Sequence, residues 1–209
     1  MTIKKDLKHW WKKLWFILWK DDSFKGWLFS IIFIFFFIKF IFFPILNVAT
    51  GTSLPLAIVE SCSMYHKGNI FSNFDSWFDR HETKYEDFTI NKLDFQDFKM
   101  RNGFNKGDIL LITRANPEKL KEGDIIIFGA SQRNPIIHRI VDIQETNDTR
   151  TFSTIGDNNN GQLAFENNIK EDQIIGKAQV KIAPYLGWVK LVFFDWQKTE
   201  GERGFCGEN

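Results

Sequence analysis

The chain has 209 residues, a length for one domain with appendages, and no repeat period runs through it. With 27 Lys and Arg against 26 Asp and Glu, the formal charge of +1 gives no support to a broad nucleic-acid-binding face. Two cysteines, Cys62 and Cys206, are too few for a disulfide scaffold and stand in no metal-ligand spacing. The 23 Phe and 8 Trp exceed what a soluble domain of this size needs, which directs attention to where they gather.

Residues 1–25 form a basic, aromatic segment in which seven Lys face three Asp, and residues 9–19, HWWKKLWFILW, suit an amphipathic helix lying in a headgroup layer. Residues 26–46 follow as a transmembrane helix. From Trp27 to Leu46, 17 of 20 residues are apolar and eight are Phe, and 20 helical residues reach roughly 30 Å, the thickness of a hydrocarbon core. Lys39 and Pro44 lie near its end, where a lysine stem snorkels and a proline is tolerated. Lys4, Lys5, Lys8, Lys12, Lys13, Lys20 and Lys25 precede the span and no Lys or Arg follows it until Lys67, so the N-terminus is expected in the cytoplasm and residues 47–209 outside a cell membrane crossed once. A secretory leader cut near Ala49-Thr50-Gly51 is the rival reading, but its apolar stretch is too long.

Past the membrane, short β-branched runs bounded by turn residues predict a mainly β domain without βαβ alternation. The runs are Leu56 to Glu60, Ile109 to Thr113, Ile125 to Phe128, Ile136 to Ile143, Thr151 to Ile155, Ile174 to Ile182 and Trp188 to Phe194. Gly107-Asp108 and Gly123-Asp124 mark entering turns. Residues 65–106 break the pattern with many Phe and Asp and read as an insertion beside the active site or on the membrane surface; its aromatics include Phe71, Phe74, Trp77, Phe78, Phe88, Phe95 and Phe98. Tyr185 to Trp196 either ends the sheet or touches the membrane, and residues from Lys198 onward read as a polar tail. Asn147-Asp148-Thr149 is a glycosylation sequon.

A serine nucleophile needs a base and a group to orient that base. His138 in IIHRIVDI, Ser63 in ESCSMYH and Asp157 in IGDNNNGQ are candidates, though each also reads as a core-edge imidazole, a loop hydroxyl or an Asx-turn carboxylate. Their combination carries more. ESCSM behind a membrane span, then GDIIIF, IIHRIV and IGDNN, resembles in order the boxes of the type I signal peptidases, peptidase family S26, in the archaeal and endoplasmic-reticulum branch whose base is His. The resemblance runs from about Val59 to Gly187, interrupted after Met64 by the insertion.

It implies a signal-peptidase-like fold, with Ser63 as nucleophile, His138 as base, Asp157 holding the imidazole, and Ser61 joining the Ser63 N–H in an oxyanion hole. An imidazole is an effective base near neutral pH, whereas a lysine there needs burial to act as one. Three departures stand out. The acid that many relatives carry six residues after the first is Leu163 here, with Glu166 the nearest later one; Tyr65-His66 stands where a Pro is usual; and Cys62 replaces a small residue and is expected to tolerate Ser. Asp157→Asn is therefore expected to cost more than Glu166→Gln. The implied function is membrane-bound cleavage of signal peptides from secreted preproteins at small −1 and −3 residues, beside the bilayer and the secretion translocon, with no cofactor, no metal and no nucleic acid. The alternative is a catalytically silent membrane-anchored β module that binds an extracytoplasmic partner.

Overall fold

The computed structural model describes residues 3–68, 74–130, 134–146 and 149–207. Phe71 and the Asn147-Asp148 pair of the sequon lie outside the described residues. The chain divides into two compact units, Met1–Ala49 and Thr50–Asn209.

In the first unit, helix α1 (Ile3–Trp19) precedes α2 (Phe24–Phe37), a π-helical turn (Ile38–Phe42) and α3 (Phe43–Thr50). Ser23 caps α2, its hydroxyl accepting from the Gly26 N–H at 3.1 Å. From Phe24 to Thr50 the helix is continuous, long and apolar enough to cross a membrane, with mean hydropathy 2.6 in its most apolar stretch. It outruns the expected 26–46 at both ends. The π turn has a local cause: Pro44 offers no N–H and crowds the preceding turn, and the ladder widens just before it, with the Phe43 N–H bonding the Ile38 carbonyl.

In the second unit, seven antiparallel strands form one sheet in the order β1-β2-β7-β3-β4-β5-β6. They are β1 (Leu56–Ile58), β2 (Ile109–Thr113), β3 (Ile125–Phe128), β4 (Ile136–Thr146), β5 (Thr149–Ile155), β6 (Ile169–Lys170) and β7 (Ile174–Ala183). Bulges bend β2 against β7 and β4 against β5, so core fills both faces of the curled sheet. Gly107 and Gly123 take φ of +91° and +85°, and a Cβ there would meet the Trp188 and Phe98 rings at 2.2 and 2.1 Å, so these turns need glycine. The 65–106 segment holds helices α4 (Phe74–Glu86) and α5 (Lys92–Gln96), whose Phe74, Trp77, Phe78, Tyr85 and Phe95 pack with Val141 and Ile155 of the sheet.

Two expectations fail at the C-terminal end. Trp188 to Phe194 is no strand: helix α6 (Trp188–Leu191) buries Leu191 three residues after Trp188, whose indole donates to the Lys106 carbonyl at 3.0 Å. Nor is the end a solvated tail. Buried Lys106 Nζ binds the Asp195 carboxylate and the Glu202 carbonyl, and Cys206 is disulfide-bonded to Cys62.

Candidate active site

Ser63 lies in the loop leaving β1. Main-chain bonds between Val59 and the Gly107-Asp108 turn fix the start of that loop (Val59 N to Asp108 O, 2.9 Å; Gly107 N to Val59 O, 2.8 Å). Met64 anchors its far end in the core, its carbonyl accepting from Phe104 N at 2.9 Å. Between these anchors the Ser61 and Ser63 hydroxyls are 3.1 Å apart. Asn158 completes the fixation: its N–H donates to Ser63 O at 2.7 Å and its side-chain amide to Cys62 O at 3.1 Å. The IGDNN box therefore does meet the ESCSM box, through backbone and Asn158.

His138 and Arg139 are consecutive on β4, opposite Ile126 and Ile125 of β3. Successive strand residues point to opposite faces, so the two side chains enter different surroundings. His138 is 4% exposed, and its Nδ1 is hydrogen-bonded to Oε1 of Glu166, which is 0% exposed. The other Glu166 oxygen accepts from Leu163 N at 2.6 Å, closing the 3₁₀ turn Ala164–Glu166 and aiming the carboxylate. With a carboxylate at Nδ1, the ring proton resides there and Nε2 is left free to act as a base.

Asp157 does not orient His138, contrary to the sequence expectation. Its carboxylate accepts from Arg139 (Nη2 at 2.7 Å, Nε at 3.0 Å), from Tyr85 OH at 3.0 Å and from His66 Nε2 at 2.9 Å. Burial opposes its ionisation, but the Arg139 charge and the bonds from His66 hold it well below the ordinary carboxylate range. His66 is driven by burial down to about 4 despite this carboxylate. It is therefore neutral, donating from Nε2, and its Nδ1 is buried with no hydrogen-bond partner among the described residues. The insertion supplies most of this cluster. Trp77 stacks on His66 at 3.4 Å between ring centres, and Lys84, lowered by burial to about 8, donates to the carbonyls of Asp157 (2.5 Å) and Asn159 (3.1 Å).

Among the proposed catalytic groups the structure thus joins Ser61 with Ser63 and His138 with Glu166. The Ser63 hydroxyl and the His138 ring share no hydrogen bond in this structure. Sequence reasoning missed Tyr85 and Lys84 and assigned no role to His66 or Arg139. The adjacent His and Arg of the box were the available signal, since alternation sends them to separate carboxylates. Among the described residues no group of three His, Cys, Asp or Glu side chains is placed to hold a metal ion.

No family model matches the chain. The signal peptidase complex catalytic subunits SEC11C of Canis lupus familiaris and Homo sapiens are each 29% identical over 106 residues, covering 47% of this chain and 55% of theirs. The SEC11 subunit of Metarhizium acridum (strain CQMa 102) is 29% identical over 109 residues, 48% of this chain and 63% of its own. An apolar helix of membrane-span length and a curled antiparallel sheet, with a Ser loop and a buried His on the interior strand β4, are consistent with the signal-peptidase-like class. Within that class the chain is a homologue of the signal peptidase complex catalytic subunits, of the endoplasmic-reticulum and archaeal type. It spans about half the length of the SEC11C relatives it matches.

Proposed function

We propose that the chain is a membrane-anchored serine endopeptidase that removes signal peptides from preproteins, with Ser63 as nucleophile, His138 as general base and Glu166 as the acid that orients it. The observation that carries this reading is the buried Glu166–His138 pair on a chain whose ESCSM loop is pinned at Ser63. In the reaction, His138 Nε2 takes the Ser63 proton as Oγ attacks the scissile carbonyl, then returns it to the leaving amine, while Glu166 stabilises the imidazolium. The Ser63 N–H and the Ser61 hydroxyl receive the oxyanion. Asp157 serves differently from the original expectation: it neutralises Arg139 and thereby seats the turn that carries Asn158 against the nucleophile loop.

The lysine-rich flank supports a cytoplasmic N-terminus with the sheet outside, on the side where a preprotein would emerge from a translocon. A disulfide in the second unit fits an oxidising compartment. The test is cleavage of a preprotein in detergent by wild type and Ser63→Ala. Cleavage by wild type and none by the variant is expected; equal cleavage by both would refute the assignment, and none by either favours a silent binding module.

A further inference from the structure

The last described residues return to the nucleophile loop rather than leaving the domain. Cys206 is bonded to Cys62, the residue before Ser63, at a sequence separation of 144 and with Cα atoms 5.3 Å apart. Lys198 Nζ donates to the Glu60 carbonyl, three residues before Ser63. The Asn158 amide that donates to Cys62 O donates equally, at 3.1 Å, to Gly207 O, so one side chain ties the loop and the end segment together. The segment is itself held to the domain. Asp195 receives Lys106 Nζ and, at 2.7 Å, the Gly204 N–H, while Phe205 packs on the Trp188 ring at 4.9 Å. Exposed Lys190 on Glu60, at 3.2 Å, adds little by comparison.

We infer that residues 195–207 are a covalently latched clamp that positions Ser63, with Cys206 and Lys198 as positioning residues. The inference rests on Ser63 being the nucleophile. A loop hydroxyl must be held within a fraction of an ångström to attack in line, and a misplacement of about 1 Å costs on the order of 10²-fold. Here the backbone at Glu60 and Cys62, just before Ser63, is held by this segment in addition to the Val59 and Asn158 bonds. Opening the latch takes two electrons and two protons: a dithiol such as dithiothreitol reduces the Cys62–Cys206 bond to two thiols and is itself oxidised to a cyclic disulfide. The clamp then makes the enzyme sensitive to reduction although no cysteine takes part in the chemistry.

The full chain in detergent is assayed on a preprotein when oxidised, after dithiothreitol, and after reoxidation, alongside Cys206→Ser and Ser63→Ala, with thiol labelling to score the bond and a thermal melt to score folding. We expect kcat to fall about 10-fold or more in the reduced enzyme and in Cys206→Ser, with KM within about 2-fold, and reoxidation to restore wild type only. An unchanged kcat with the bond shown open would overturn the clamp. If the opened enzyme unfolds, Lys198→Met with the disulfide intact decides: the clamp requires a lower kcat at unchanged KM, and wild-type kcat would reject it. Cleavage that survives Ser63→Ala would refute the nucleophile itself, a failure distinct from Ser63-dependent cleavage that ignores reduction.

Discussion

His138 and Arg139, side by side on β4, divide the buried charges of the domain between two tasks. The imidazole takes Glu166 and the guanidinium takes Asp157. The two carboxylates should therefore fail differently when changed. Asp157→Asn leaves a buried guanidinium without its counter-charge, and breaking such a pair typically costs about 3–5 kcal/mol, to be seen as a large fall in melting temperature. Neutral His66 gives a second prediction. Its value in the fold is about 4 against about 6.5 for a free imidazole, so the unfolded chain binds the extra proton between those limits. Stability is complete above about pH 6.5 and falls as the pH is lowered toward 4, by about 3 kcal/mol from this residue. Asp157, Arg139 and His81 surround the ring, and a Gln at position 66 can still donate to Asp157. The difference in melting temperature between pH 7 and pH 4.5 should be smaller in His66→Gln than in wild type; equal differences would contradict the assignment. The residue types of the site were legible in the boxes. The pairing of acids with bases was not, because Glu166 lies outside any box and reaches His138 only through the turn it closes on Leu163.

At the scale of elements, strand periodicity located β2 and β3 at their observed bounds and most of β4, β5 and β7, since their apolar runs are short and bounded by Gly-Asp turns. The same pattern misread Trp188 to Phe194. There the apolar residues serve a helical turn that brings Trp188 over Gly107, a tertiary demand that local spacing does not record. The insertion had no clear period because α4 buries one aromatic face and the tip of Lys84 against the Asp157 turn, while other positions carry charge. It acts as a brace for the IGDNN turn. Trp77, fully buried and stacked on His66, is its keystone: Trp77→Ala should destabilise the domain by about 3–5 kcal/mol, measured by denaturant titration. A loss below about 1 kcal/mol would mean that α4 packs without supporting the sheet.

The molecule as a whole combines an apolar helix that buries little against its own unit with a β unit that has its own core. Composition disclosed the first unit directly, since a stretch with eight phenylalanines in 20 residues is apolar and long enough to fit a membrane anchor. It did not disclose the closure of the second, because a pair of cysteines far apart in sequence says nothing of their distance in space. The central claim is that Glu166, not Asp157, completes the catalytic group with His138 and Ser63. Preprotein cleavage by Glu166→Gln and Asp157→Asn, with rates corrected for the folded fraction, tests it most directly. Glu166→Gln should stay folded and lose on the order of 10²- to 10⁴-fold in kcat, since the base then lacks its orienting carboxylate. Folded Asp157→Asn should retain most of its rate. The opposite order, an active Glu166→Gln beside a folded but inactive Asp157→Asn, would contradict the account.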